Sequence, residues 1–279
     1  MKIIKNIKTL KRKIEILKLN NNKICLVPTM GSLHDGHLSL VKKAKGNNRI
    51  VIVSIFINPS QFGTNEDFNK YPKNIKKDIS SLKKLSVDIV FIPDEKEMLT
   101  YKTPKIKQLK LPIEKILCGK TRPKYFPGVG SIVIKLFDII KPDYSYFGEK
   151  DFQQFSFIKQ LTKKLKMNIK IISGKTVRDS FGLALSSRNL YLSDKQKIIA
   201  QNIIKILKKT RRELKENWRP SNIIKKNERI LIQNGIDKID YFELRSEKFA
   251  LNVKKNQKSR LFIAVFIGST RLIDNIKIN

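Results

Sequence analysis

Residues 23 to 37 read "KICLVPTMGSLHDGH", an apolar run that gives way to glycine, serine and two histidines. From Lys23 to Met30 the stretch has the continuous apolar character of a strand covered on both faces. From Gly36 to Lys45 the pattern turns helical, so the quoted stretch is a strand feeding a helix N-terminus. The same alternation recurs along the chain. Strand-like runs occupy 49 to 58 ("RIVIVSIFIN"), 88 to 93 ("DIVFIP"), 143 to 148 ("DYSYFG") and 169 to 177 ("IKIISGKTV"), and helical patterns occupy Ile75 to Leu85, Gly130 to Ile140 and Asp151 to Lys166. Apolar strands alternating with helices predict an α/β fold, a Rossmann-like domain with a parallel sheet covered on both faces. Its ligand belongs in the loops beyond the carboxyl ends of the strands.

After Val177 the pattern changes. Helical segments at about 194 to 216 and 221 to 234 precede two strand-like runs, "IDYFELRS" at 239 to 246 and "RLFIAVFIG" at 260 to 268. If those strands pair antiparallel, residues 178–279 form a smaller α+β C-terminal domain beside an N-terminal domain of residues 1–177.

Composition bounds the function. The 279 residues carry 59 Lys+Arg against 24 Asp+Glu, a formal charge of +35. A basic surface attracts nucleic acid. Here, however, 47 Lys outnumber 12 Arg, and with 41 Ile and 21 Asn they run through the whole chain. That dispersion fits drift toward A- and T-rich codons better than a phosphate-reading stripe, which favours the arginine fork. No specific nucleic acid partner is expected. The N-terminus lacks the uninterrupted apolar segment of a signal peptide, and no window is long and apolar enough to span a bilayer. Two isolated cysteines, Cys25 and Cys118, suit reduced thiols, so a cytoplasmic protein away from membranes is expected.

Four segments could carry chemistry. Both histidines of the chain, His34 and His37, lie in Met30-Gly31-Ser32-Leu33-His34-Asp35-Gly36-His37, where a helix N-terminus offers N–H groups to an anion. Paired histidines also suggest zinc, but a third histidine is missing and neither cysteine has ligand-like spacing. After the second strand, "FINPSQFGTNEDFNKYP" from Phe56 to Pro72 places Asn58 and Gln61 at the crevice, where neutral amides suit a hydroxylated carboxylic acid. Asn-Pro and Phe-Gly equally well build turns. "FGEKDFQQF", Phe147 to Phe155, offers Gly148, Glu149, Lys150, Asp151 and, one turn on, Gln154. There Lys150 could bridge phosphate oxygens, while Glu149 and Asp151 could position it, cap the helix or meet hydrated Mg²⁺. Leu185-Ser186-Ser187-Arg188, after Gly182, combines hydroxyls and a guanidinium as in a phosphate clamp. Neither a Walker-type loop nor a Ser-His-Asp ordering is visible.

Taken together, "PTMGSLHDGH", "NPSQFGTNED", "PDYSYFGEKDFQQ", "GLALSSRNLYLS" and the late "RLIDN" resemble the pantothenate synthetase (pantoate–β-alanine ligase) family of the nucleotidylyltransferase superfamily, in its order and spacing. The resemblance covers residues from about 23 to 275. It implies an N-terminal domain that binds ATP and pantoate, a C-terminal lid and usually a homodimer. The implied reaction joins ATP and pantoate, with Mg²⁺ on the ATP and no tightly bound organic cofactor, into a pantoyl adenylate and pyrophosphate. β-Alanine then releases pantothenate and AMP. By the same resemblance, Met30 to His37 line the ATP site, with His37 the catalytic proton donor; Gly148 to Asp151, Val177 and Leu185 to Arg188 also contact ATP. Gln61 and Gln154 hold pantoate, Gln61 also meets β-alanine, and Asn58 supports the pocket; the metal ligands stay unassigned. The chain departs from the family where Arg-Pro-Gly-His-Phe-Arg-Gly-Val is usual: Arg122-Pro123-Lys124-Tyr125-Phe126-Pro127-Gly128-Val129 replaces a histidine by Tyr125, which supplies no imidazolium. Phe181 stands where the family has an aspartate before Gly182.

Overall fold

The structure, a computed structural model, describes residues 1–46, 49–64, 66–103 and 111–279. Asn65, within the segment after the second expected strand, therefore lies outside the described residues. The chain divides into two compact units, Met1–Lys175 and Thr176–Asn279.

In the first unit the order is β1 (Lys2–Ile4), α1 (Ile7–Leu19), β2 (Lys23–Thr29), α2 (Asp35–Ala44), β3 (Arg49–Ile55), α3 (Ile75–Lys84), β4 (Ile89–Phe91), α4 (Glu95–Thr100), α5 (Cys118–Thr121), α6 (Tyr125–Ile140), β5 (Tyr144–Gly148), α7 (Phe152–Lys164) and β6 (Lys170–Gly174). The six strands form one parallel sheet in the order β1-β4-β3-β2-β5-β6. The chain winds outward from β2 through β3 to β4 and then returns to the other side of β2 at β5. The order therefore reverses between β2 and β5, and the crevice beyond their carboxyl ends is where such a sheet takes its ligand.

Burial explains why β2 and β3 are apolar at their centres. Ile24 to Val27 and Val51 to Val53 are wholly buried, as strands sandwiched between helix layers must be. On one face Cys25, Val27, Val51 and Val53 join Leu40, Val41 and Ala44 of α2 and Leu82 of α3 in a single cluster. The expected strands end early where the backbone cannot continue a ladder: β3 stops three residues short of Asn58, and β4 stops before Ile92-Pro93. Helix α6 begins at Tyr125, five residues before the expected Gly130. Pro127 falls in its first turn, where a missing N–H needs no partner.

The second unit comprises α8 (Asp194–Glu216), α9 (Pro220–Gln233) and the strands β7 (Lys238–Ser246), β8 (Ser259–Ile267) and β9 (Thr270–Lys277). β7 pairs antiparallel with β8 from Lys238↔Phe266 to Ser246↔Ser259, and β8 pairs antiparallel with β9. Ile203, Leu207 and Leu214 of α8 and Leu231 of α9 pack with Leu261, Ile263 and Val265 of β8, giving the unit its own core. Ser193 and Gln196 close a capping box at the start of α8.

Candidate active site

The loop between β2 and α2 is shaped by an unusual backbone. Gly31 has φ 79° and Ser32 φ 50°, both left-handed. Thr29 stabilises the entry: its hydroxyl donates to Ser54 O at 2.8 Å and accepts from Gly31 N at 3.2 Å. Asp78 of α3 holds the centre, accepting Ser32 N at 2.9 Å on one oxygen and Leu33 N at 2.8 Å on the other.

Where the loop enters α2, the two histidines cap the helix reciprocally. His34 Nδ1 accepts from Gly36 N at 3.1 Å, and His37 Nδ1 accepts from His34 N at 3.3 Å. A backbone N–H can only donate, so Nδ1 of both rings is unprotonated and each neutral ring carries its proton on Nε2. The rings lie 4.0 Å apart between centroids. Gly36 is required here, because a Cβ would stand 2.8 Å from the His34 ring. Loss of solvation, then the Lys150 charge, pushes the pKa of His34 down to about 4. His37 is held well below the ordinary histidine value by desolvation, by His34 and by Lys150. Near neutral pH the pair is uncharged and presents Nε2–H donors.

Lys150 reaches this pair from the far side of the switch point. It sits in the 3-10 turn Glu149–Asp151 after β5, 3.6 Å from Asp151 Oδ2. Glu149 accepts from Ser173 Oγ at 2.9 Å. Asp151 precedes α7 but makes no side-chain cap hydrogen bond. At Gly148 the nearest atom to an added Cβ would be 4.0 Å away, so the strand end is open to an approaching group.

The loop after β3 supplies the amides. Asn58 caps the turn Pro59–Gln61, its Oδ1 accepting from Ser60 N at 3.3 Å and Ser60 Oγ at 2.6 Å, while Nδ2 donates to Gly128 O at 3.0 Å. Gln61 Nε2 lies 2.7 Å from Met30 Sδ, joining this loop to the β2 loop. Arg122 donates to Glu66 through Nε at 2.7 Å and through Nη2, and donates weakly to Gln61 O at 3.4 Å. Its guanidinium stacks 4.0 Å from the centre of the Tyr125 ring, whose hydroxyl accepts from Gln154 Nε2 at 3.1 Å. The neighbouring Gln153 instead braces the fold, bonding Ile113 O, Ile116 O and Cys118 N.

Gly128 lets α6 meet the amide loop. A Cβ there would fall 2.3 Å from Ser60 O and 2.6 Å from Gln61 Cα, both backbone atoms. Gly128→Ala should therefore push the turn bearing Gln61 away, destabilising the fold by about 1–3 kcal/mol, as overpacking does. Urea denaturation measures that loss, and an unchanged midpoint would mean the turn shifts freely.

The remaining expected residues belong to the second unit. Val177 O accepts from Leu185 N at 3.0 Å, and Ser186 Oγ accepts from Arg188 N at 3.3 Å, capping the turn Ser187–Tyr191. Arg178 braces this loop, donating to Asp274 at 2.6 and 2.9 Å and to Gly182 O at 3.1 Å. Asp179 accepts from Phe181 N and Leu183 N, both at 2.9 Å, so the turn is tied without an acid at Phe181, which is exposed. Asp78, Glu66, Arg122, Arg178 and Asp274 were absent from the residues expected of the site. Asp78 left one signal, an acid spaced i to i+4 from the buried Leu82 on the inward face of α3.

This geometry has close parallels. The family described as pantoate-beta-alanine ligase matches residues 2–277. A pantothenate synthetase of Buchnera aphidicola is 47% identical over 286 residues, covering 100% of this chain and 99% of its own. That of Thermosipho africanus is 41% identical over 282 residues, with 99% of each chain covered. Among solved structures, the Thermus thermophilus pantothenate synthetase superposes with a TM-score of 0.90 at 31% identity, covering 100% of this chain and 99% of its own. The Francisella tularensis pantoate-beta-alanine ligase, complexed with beta-gamma ATP and beta-alanine, does so with a TM-score of 0.83 at 39% identity, over 100% and 98%. With the family match, the full-length relatives and the superposed structures in agreement, the chain belongs to the pantoate–β-alanine ligase family and is an enzyme of that class.

Proposed function

We propose that the enzyme condenses pantoate with β-alanine through a pantoyl adenylate, releasing pyrophosphate and then AMP. The observation that supports this most is the meeting of two chemistries at one switch point: uncharged Nε2–H donors and Lys150 for a polyphosphate, and the amides Gln61 and Gln154 for a hydroxy acid. Charge develops on the departing pyrophosphate as the pantoate carboxylate displaces it, and donors already oriented stabilise that charge without reorganising. His37 supplies such a donor at Nε2, and His34 and Lys150 stand beside it. We assign Met30 to Leu33, Asp35 and Gly36 to the ATP-lining loop, Gly148 to Asp151 to the nucleotide phosphates, Val177 to the adenine and Leu185 to Arg188 to the triphosphate. Gln61 and Gln154 take pantoate and Gln61 takes β-alanine, with Asn58 fixing the Gln61 turn.

Mg²⁺ fits as a companion of ATP. Among the described residues no group of three or more His, Cys, Asp or Glu side chains could cage an ion. Magnesium held mainly by phosphates and water needs only one or two carboxylates, which Asp151 and Glu149 offer beside Lys150. When bound, it would neutralise part of the triphosphate charge. We further propose a cytoplasmic homodimer. Two buried free cysteines accord with a reducing compartment, and no described helix is long and apolar enough to cross a membrane.

The direct test mixes enzyme, Mg-ATP and pantoate and follows pyrophosphate, then adds β-alanine and follows pantothenate and AMP. Pyrophosphate should appear with pantoate alone, in an amount close to the enzyme, and turn over once the amine is present. Pyrophosphate release that waits for β-alanine would exclude an adenylate formed first.

A further inference from the structure

We propose that Tyr125 is a specificity-determining residue: it fixes which end of the Gln154 amide meets the substrate and so makes the enzyme read a hydroxyl there. The inference rests on the assignment of Gln154 to pantoate.

A glutamine amide presents a donor and an acceptor that are nearly the same size, so an unrestrained Gln154 could turn either toward a ligand. The Tyr125 hydroxyl accepts from Gln154 Nε2 at 3.1 Å, which engages the donor end. The Oε1 end is then the one offered to the pocket, and an acceptor selects a hydroxyl donor over a carboxylate oxygen or an apolar carbon. The tyrosine can impose this choice because it is itself held. The Arg122 guanidinium lies 4.0 Å from its ring centre, Phe126 meets it edge-on at 5.0 Å, and Arg122 is fixed by two hydrogen bonds to Glu66. Arg122 also donates to Gln61 O, so one chain of contacts runs from Gln154 through Tyr125 and Arg122 to the turn bearing the second amide. A histidine here would present a ring nitrogen whose donor or acceptor character changes with tautomer. The phenol hydroxyl here takes the acceptor role toward the amide nitrogen, and that contact leaves Oε1 as the outward end.

The test compares wild type, Tyr125→Phe and Tyr125→His in pantoate-dependent pyrophosphate release, using pantoate and its two singly deoxygenated analogues. For wild type, removing the hydroxyl read by Gln154 should cost about 10-fold or more in kcat/KM, because the acceptor loses its partner. Tyr125→Phe should raise KM for pantoate about 10-fold, change kcat less than KM, leave KM for ATP in place and collapse the discrimination against that analogue toward unity. Tyr125→His should recover part of the discrimination, and it carries the test should the phenylalanine variant fold poorly. A Phe variant that keeps both the pantoate KM and the discrimination would overturn the inference, as would equal rises in the KM for pantoate and for ATP. A wild type releasing no pantoate-dependent pyrophosphate would instead overturn the functional assignment, and this inference with it.

Discussion

His37→Ala is expected to lower pantoyl adenylate formation by at least about 100-fold, read as the single-turnover rate of pantoate-dependent pyrophosphate release. The size follows from position and protonation together. His37 Nδ1 is occupied by His34 N, so the end of the ring assigned to catalysis is Nε2–H, and desolvation, with His34 and the Lys150 charge, keeps it neutral. Alanine removes both the donor and one half of the helix cap. Two amide variants separate those losses. His37→Gln places an N–H near the position of Nε2 and should recover part of the rate, whereas His37→Asn keeps an acceptor near Nδ1, preserving the cap while staying slow. Equal rates for both amides would assign His37 to structure. Because the working ring is neutral, the advantage of wild type over His37→Ala should persist as the pH falls through 6.5. An ordinary histidine acting as a charged acid would show the opposite trend, gaining activity as it protonates. A wild-type rate that climbs through that pH would favour an imidazolium donor.

How much of this was legible beforehand depended on what each residue's signal rests on. β2 and β3 could be read because strands buried on both faces must be continuously apolar, and Ile24 to Val27 and Val51 to Val53 are. β1 could not: it is three residues long, at a sheet edge, begins at Lys2 and is followed by Lys5, so no apolar run marks it. α1 carries Ile7, Leu10 and Ile14 at helical spacing, but lysines crowd the intervening positions and hide the stripe. In the site, His34 and His37 stood out by their scarcity. The protonation state did not, since it follows from backbone N–H groups aimed at Nδ1, which only the folded cap supplies. The Arg122–Glu66 pair joins residues 56 positions apart, and no local pattern in either segment requires the other. The neutral amides were legible as types, yet the contact of Gln154 with Tyr125 arises from α7 meeting the start of α6.

Asp78→Ala is expected to produce the largest loss of stability, about 2–5 kcal/mol by urea denaturation, together with a rise in KM for ATP of about 10-fold or more. Asp78 is 1% exposed and spends both oxygens on the loop, one on Ser32 N and one on Leu33 N. Within "NIKKDISSLKK" its one mark is the i to i+4 spacing to Leu82, and its role as a brace emerges from burial. Alanine would leave two N–H groups without acceptors, each costing about 1–3 kcal/mol where water cannot replace the carboxylate. Ser32 is also held at φ 50°, a conformation that costs a non-glycine residue about 1–2 kcal/mol and persists only while its surroundings enforce it. Freed from Asp78, Ser32 should relax toward negative φ, and the loop would lose the curve that carries His34 to the start of α2. Asp78→Asn keeps one oxygen but turns an NH₂ group toward a backbone donor, so it should fall between wild type and alanine in both measurements. The KM for pantoate, which we assign to Gln61 on another loop and Gln154 in α7, should move less than that for ATP. A stability loss with an unchanged KM for ATP would show that the loop keeps its shape without the carboxylate, leaving Asp78 a structural brace alone.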